Sequence, residues 1–357
     1  MKLTIERTEL AAALKRAGRI ATTRSTLPIL SCVLLKAEPG GLTVSANNLD
    51  AALVLTLPCP DVVTAGSVAV CCSRLSAAVD RLSGSVLTLE LRKAMLCVSG
   101  EGAEVRLATL PAEEFPETKG LKKATEFECE FEGLTSAVSR VLFACSTDAT
   151  RFVLNGVLFD GASSRLVATD GRRLAAVELG QMAEKVLAIV PTAALKVLLS
   201  MPETERVSVK FGESMCSFSC DAWALTCKLI EGNFPNYEQV IPPVSERSVE
   251  VSRAALMKAL PLMGSVLDAK SNSVLLVGIG EESLRLESNG ADIGECEATV
   301  AAEVPEGFKA AFNMDFLGDV LGALRCDLVE IDMRDEMSPA LFVSGDFTAV
   351  LMPLRIS

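Results

Sequence analysis

The sequence predicts an α+β protein made of three copies of one domain, each with two helices packed on antiparallel sheets. Two observations carry that reading. Strand–hairpin–strand patterns recur at a step of roughly 120 residues, and an amphipathic segment stands before and after each of them. Half of the 357 residues are apolar, enough to give every copy its own core.

The first copy opens with LAAALKRAGRI (10–20), in which Leu10, Leu14 and Ala17 share a helical face. SCVLLKAEPGGLTVSANNLDAALVLTL (31–57) follows as an apolar strand, a polar loop, an alternating strand, a turn and a third strand. SRLSAAVDRL (73–82) reads as the second helix, and LTLELRKAMLCVSG (87–100) supplies closing strands. The second copy repeats this with LTSAVSRVLFA (134–144), NGVLFDGASSRLVATDGRRLAAVEL (155–179) and PTAALKVLLS (191–200). The third runs RAALMKALPLM (253–263), NSVLLVGIGEESLRLESNGADIGECEATV (272–300), NMDFLGDVLGALR (313–325) and VEIDMRDEMSPALFVSG (329–345). Val33, Val157 and Val274 hold equivalent places, as do Leu75, Leu195 and Leu317. Pro191 and Asn313 stand where a helix cap and first turn belong. Pro261 predicts that its helix ends or kinks early. The joins are loop-like: EEFPETKGLKKATE (113–126) is charged and broken by Pro and Gly, and VIPPVSERS (240–248) has two prolines. The expected domains are therefore 1–120, 121–243 and 244–357. The step is too long for a solenoid, so this is domain triplication.

Charge is unevenly spread. The chain has 34 Lys and Arg against 46 Asp and Glu, a net −12, and no histidine. The helical segments 10–20, 74–83, 134–144, 192–200, 253–263 and 314–325 hold Lys15, Arg16, Arg19, Arg74, Arg81, Arg140, Lys196, Arg253, Lys258 and Arg325. Against these ten stand only Asp80, Asp315 and Asp319, so the helices carry +7 and the remainder −19. One reading is a single surface built to meet a polyanion while the others avoid it. The other is that helices simply accept Lys and Arg well while acids collect in loops. One Trp and one Tyr leave little for base stacking, and no basic region or recognition helix is present. Attraction to duplex phosphates without sequence preference is what the first reading leaves.

Several classes are argued against. No apolar run approaches the ~20 residues of a membrane span, and Glu6, Arg7 and Glu9 interrupt any signal-peptide core. A soluble, cytoplasmic protein is expected. The twelve cysteines lie in apolar strings without framework spacing and read as small core residues. Cys216 and Cys220 have no second pair to complete a zinc set, so no metal or cofactor is expected. Phosphate-loop and nucleophile-elbow motifs are missing, GIGEES (278–283) reads as a turn, and Glu113/Glu114 and Glu281/Glu282 read as solvated loop charge. Nothing argues for an enzyme. A repeat-domain enzyme would need carboxylates converging in a pocket.

The stretch LVATDGRRLAAVEL (166–179) places Arg172 and Arg173 on a tight Asp170–Gly171 turn. Turn chemistry alone accounts for Asp–Gly. That stretch, with MKLTIER, TRSTLPIL (23–30), LATLPAEEFP (107–116), FVLNGVLF (152–159), FPNYEQVIP (234–242) and MPLRIS (352–357), resembles the beta subunit of bacterial DNA polymerase III, the sliding-clamp family. The resemblance runs the length of the chain. It implies three DNA-clamp domains, a head-to-tail homodimeric ring that encircles double-stranded DNA, no catalysis, and partners that include DNA polymerase III, other polymerases and a clamp loader. It also implies a hydrophobic groove for short linear motifs at Leu154, Thr169, Gly171, Arg172, Arg173, Leu174, Pro235, Val240, Val350, Met352, Pro353, Leu354 and Arg355. In that groove Met352 and Leu354 would repack around a ligand, and Arg173 would sit hydrated at the lip, offering donors to peptide carbonyls. Arg24, Arg74, Arg140 and Lys196 are the expected phosphate contacts. Val105 and Leu107 would meet Val266 and Leu267 of a partner chain. Departures from the family pattern are Arg172 in place of its usual histidine, Ser73, Asp148, Phe152–Val153 and Thr192–Ala193. They suggest a less basic inner wall, and a paralogous clamp competing for the same partners is the alternative they raise.

Overall fold

The computed structural model describes residues 1–22, 26–118, 120–121, 124–180, 182–245, 247–267 and 272–355. Six α-helices are present among them: α1 (Arg7–Ala17), α2 (Cys72–Arg81), α3 (Phe131–Val141), α4 (Thr192–Leu198), α5 (Arg253–Gly264) and α6 (Met314–Ala323). Each begins at the residue after a strand ends, for example α1 after Lys2–Glu6 and α6 after Lys309–Asn313. This explains why α1 and α3 start three residues before the amphipathic pattern suggests. Glu6 and Cys71 make no side-chain cap, so no polar punctuation marks those starts. Ser252 and Asn313 do cap, accepting from the amides of Ala255 (3.3 Å) and Phe316 (3.0 Å). Pro261 neither ends nor shortens α5, which runs on to Gly264. So near the C-terminus the ring removes one amide donor from a turn that is already closing.

The chain forms two compact units, one mainly of residues 1–135 and 193–229, the other of 136–180, 184–192 and 230–357. In the first unit α1 packs on α2 through Leu10, Leu14 and Ala17 on one side and Leu75 and Val79 on the other, all buried. In the second, α5 and α6 pair in the same way through Leu256, Leu260, Leu317 and Leu321. Each such leucine contributes roughly 1.5–3 kcal/mol by leaving water.

A continuous antiparallel sheet runs through each unit, with thirteen strands in the first and twelve in the second. Both sheets contain a join between distant parts of the sequence. In the first, Ala51–Cys59 pairs with Trp223–Lys228, setting Ala51 opposite Cys227. In the second, Arg173–Glu178 pairs with Phe347–Leu351, setting Arg173 opposite Leu351. Two further strands are in the same repeat positions but have an open side. Ala103–Leu110 pairs along one edge with Met95–Gly100, and its other edge is bonded only at Thr109 and Leu110 among the described residues. Gly294–Glu303 pairs along one edge with Ser283–Gly290, and its other edge only at Ala302 and Glu303.

All twelve cysteines are free thiols and most are buried. Cys216 faces Cys227 across two strands with sulfurs 3.3 Å apart. Among the described residues no His, Cys, Asp or Glu cluster could hold a metal ion, and no helix is long and apolar enough to cross a membrane.

Candidate functional site

The Asp170–Gly171 turn is held from every side. The Asp170 carboxylate accepts from the amides of Arg172 (2.8 Å) and Arg173 (3.0 Å). The Thr169 hydroxyl donates to the Arg173 carbonyl (2.7 Å) and accepts from the Gly171 amide (3.1 Å). Gly171 has φ +86°, and a Cβ there would lie 3.1 Å from the Arg151 guanidinium, which donates to the Asp170 carbonyl. Both backbone and space therefore call for glycine.

The turn delivers Leu174 opposite Val350 on the neighbouring strand. Both are 2–3% exposed and belong to one apolar cluster with Leu158, Val167, Ile189, Tyr237 and Leu341. Phe234 and Ile241 pack on the same cluster, which brings the segment carrying Pro235 and Val240 against it. The tail is laid alongside: the Met352 amide donates to the Arg172 carbonyl (2.9 Å) and the Leu354 amide to the Ala311 carbonyl (2.7 Å). The structure thus gathers Thr169, Gly171, Arg172, Arg173, Leu174, Val350 and Met352 in one place. Leu154 is buried, while Pro235, Arg172 and Arg355 are exposed and Pro353 is half-buried.

Two expectations about this site change. Leu174 and Val350 are closed into the core, so they form a floor and not an open pocket. Val240 (54% exposed), Met352 and Leu354 are the aliphatic residues of the expected groove that stand exposed. Arg173 is not hydrated at a lip. Its side chain is only 10% exposed, with Nε 3.0 Å from Asp170 Oδ2 and Nη1 2.6 Å from Asp319 Oδ2. Its guanidinium lies over the rings of Phe316 (4.0 Å) and Phe143 (5.3 Å). Two of its nitrogens are committed to carboxylates and its face to the two rings, so it fastens the hairpin to α6 and to the short turn Leu142–Ala144 that follows α3. Arg172 is the exposed arginine of the pair.

Tyr237, within FPNYEQVIP, joins the apolar cluster although no local pattern in the sequence marks it. Its hydroxyl donates to Asp160 Oδ2 (2.7 Å) and lies 3.0 Å from the Ser163 hydroxyl. Burial pushes the Asp160 carboxyl up, but the hydrogen bonds from Tyr237 and Ser163 prevail and hold it below the ordinary range. Burial, with that carboxylate beside it, raises the Tyr237 hydroxyl.

The basic helices need revision as well. Arg140 is no phosphate contact. Its side chain is 6% exposed, donating to the Ala323 carbonyl (3.0 Å) and Asp346 (2.7 Å) and stacked over Phe347. Arg7, Arg16 and Arg253 likewise donate to backbone carbonyls at Gly84, Ser200, and Leu321 and Cys326. These carbonyls lie at or beyond helix ends, where orphan acceptors and the helix dipole favour a cation. The observed helix bounds also drop Arg19 and Arg325 and add Arg7, Glu9 and Glu132, so nine basic residues face five acids and the excess narrows from +7 to +4. Arg74 and Lys196 remain exposed, and Arg24 lies outside the described residues. Asp148, one of the departures, caps a short 3-10 turn by accepting from the Thr150 amide (2.9 Å). Val105, Leu107, Val266 and Leu267 are half-buried.

A triplicated two-helix, antiparallel-sheet architecture, with a rigid hairpin beside an exposed apolar rim, defines a clamp-type scaffold for other macromolecules. Comparison with known proteins fixes which. Residues 1–119, 128–236 and 238–355 match the N-terminal, central and C-terminal domains of the DNA polymerase III beta subunit. The chain is 29% identical to the beta sliding clamp of Vibrio cholerae and 30% identical to that of Caulobacter vibrioides, each over the full length of both chains. Among solved structures it superposes on a Bartonella birtlesii sliding clamp bound to griselimycin with a TM-score of 0.93 at 29% identity, covering both chains completely. A Pseudomonas aeruginosa clamp bound to the same compound gives 0.92 at 28%, again over both full chains. The chain belongs to the DNA polymerase III beta subunit family, the bacterial beta sliding clamps. It is a DNA polymerase processivity factor and not an enzyme.

Proposed function

We propose that two copies of this chain close head to tail around duplex DNA, and that polymerases and a clamp loader dock by short linear motifs at the Arg172 hairpin. Protein, DNA and partners would meet in the cytoplasm. The observation that carries the ring is the pattern of sheet joins. Ala51–Cys59 pairs with Trp223–Lys228, and Arg173–Glu178 pairs with Phe347–Leu351. The next step of the repeat pairs Gly294–Glu303 with Ala103–Leu110, and those are the two strands with open edges. One strand belongs to the first copy of the repeat and the other to the third, with no fourth copy to follow, so a second chain supplies the partner. The same contact made twice closes a heterologous ring. Val105 and Leu107 of one chain then meet Val266 and Leu267 of the other.

At the hairpin, the exposed Val240, Met352 and Leu354 beside Arg172 and Arg355 suit an extended peptide with one or two apolar side chains. Arg74 and Lys196 contact phosphates, as does Arg24 by resemblance. Domain limits at 1–120, 121–243 and 244–357 go with this reading.

The test is retention on DNA. Protein loaded on a nicked circle should survive a salt wash that strips it from the same DNA after linearisation, because topology holds a closed ring while phosphate contacts weaken with salt. Equal loss from both forms would end the encirclement reading.

A further inference from the structure

Cys71 ends the strand Gly66–Cys71, stands at the cap position of α2, and lies directly opposite Cys32 on the neighbouring strand. It is half-buried and packs on the cluster formed by Cys32, Ala69 and Phe115. Its sulfur lies 3.4 Å from the Ser73 hydroxyl. Burial raises the Cys71 thiol, but the Ser73 hydroxyl, the amides of Arg74 and Ser73 and the Arg74 charge together hold it below the ordinary range. Its neighbours move the other way. Burial raises Cys32, and pushes Cys72 up to about 11. The cluster therefore pairs one activated, partly accessible thiol with one shielded thiol in cross-strand register, the division of labour found where a reactive cysteine has a resolving partner.

We propose that Cys71 and Cys32 form a peroxide-sensitive thiol pair, with Cys71 as the nucleophile and Cys32 as the resolving thiol. The Cys71 thiolate attacks one oxygen of hydrogen peroxide. The S–O bond forms, the O–O bond breaks, and hydroxide leaves to take up a proton as water. Cys32 then attacks the Cys71 sulfenic sulfur. The S–S bond forms, the S–O bond breaks, and the oxygen leaves as water with the Cys32 proton. Opposed Cβ atoms on antiparallel strands stand ~4.5–5.5 Å apart against the ~3.5–4.5 Å of a disulfide. The closure needed is small and falls where the strand turns into α2.

Proximity alone would favour Cys216 and Cys227, whose sulfurs are 3.3 Å apart. Both are buried, and burial raises Cys216 well above the ordinary range, so that pair is shielded in the folded protein. Cys72 is buried and its thiol is pushed up to about 11, whereas Cys71 is held below the ordinary range, so Cys71 carries the larger thiolate fraction of the two at neutral pH.

The test treats the full-length protein with limiting hydrogen peroxide, then unfolds it, alkylates free thiols and maps the digest by mass spectrometry. The first product should link the Cys32 and Cys71 peptides with loss of two hydrogens, and dithiothreitol should reverse it. Cys32→Ser should leave Cys71 as a sulfenic acid that dimedone traps. The proposal is overturned if Cys71 stays fully alkylatable while other thiols oxidise, if it links to Cys72, or if Cys216 and Cys227 oxidise first. The wild-type map decides even if a variant fails to fold. It needs neither DNA nor a partner, so it stands or falls apart from the ring.

Discussion

At the residue scale, the arginines are the instructive group, because identical side chains have opposite jobs. Arg140 and Arg173 are withdrawn from solvent onto structural partners, while Arg74 and Arg172 are exposed. Arg173→Ala leaves Asp170 nearly buried without its cation and removes the stack on Phe316. Asp319 is half-exposed and rehydrates, which limits the loss, so urea unfolding should show about 2–3 kcal/mol lost. Lysine should restore only part of this, since it lacks the planar fork. Arg140→Ala should cost about 2–4 kcal/mol by stranding the Ala323 carbonyl and opening a hole beside Phe347. Its effect on DNA is where it separates from Arg74. Removing Arg74 or Lys196 should lower the salt slope of binding by about 0.9 each, whereas Arg140→Ala should leave the slope unchanged. A slope change with Arg140→Ala in a folded protein would restore it as a phosphate contact.

At the element scale, the connector 230–247 is fastened through Tyr237, whose ring joins the cluster under the hairpin and whose hydroxyl reaches Asp160. Tyr237→Phe keeps the ring and deletes the bond, so it should cost about 1–2 kcal/mol at neutral pH. The pH dependence follows from the sign. Asp160 is held below its unfolded value, so its contribution is complete above about pH 4 and fades as pH falls through the folded value. Wild type and Tyr237→Phe should therefore converge in stability on the acid side, and a constant gap down to pH 2 would refute the linkage. Much at this scale was legible in the sequence. The repeat, the helix–strand order and the Asn313 cap all follow from local pattern and spacing. The starts of α1 and α3 were not, because strand passes directly into helix with no loop between them. Nor were the carbonyl clamps. Arg16 reaches Ser200 and Arg140 reaches Ala323 across more than 180 positions, and nothing in either neighbourhood encodes that pairing. Leu174 reads the same on an open groove as on a closed floor, and only its packing with Val350 and Tyr237 distinguishes them.

At the scale of the whole molecule, the open edges of Ala103–Leu110 and Gly294–Glu303 are the feature that a monomer leaves unexplained. A long unpaired edge invites uncontrolled association, and proteins usually blunt it with charge, proline or a cover. Here Arg106 and Glu104 neutralise each other on the strand itself, and Val105 and Leu107 alternate with them. Such an edge is suited to one partner of matching pattern. Leu107→Asp sets a carboxylate among apolar neighbours at the centre of the proposed contact. Without a cation opposite, it must either stay desolvated or hold the edges apart, and the second is the cheaper outcome. Light scattering should then report the 37.8 kDa chain mass, where wild type reports twice that. Circular dichroism should be unchanged, because Leu107 is only half-buried within its own chain. Leu107→Val keeps the apolar contact and should remain dimeric, which separates charge from simple loss of volume. Retention on the nicked circle should fall with the dimer, so that Leu107→Asp behaves on circular DNA as wild type does on linear. A fully dimeric Leu107→Asp protein would mean that the third join lies elsewhere on the molecule, and the pairing of Ala103–Leu110 with Gly294–Glu303 would have to be abandoned.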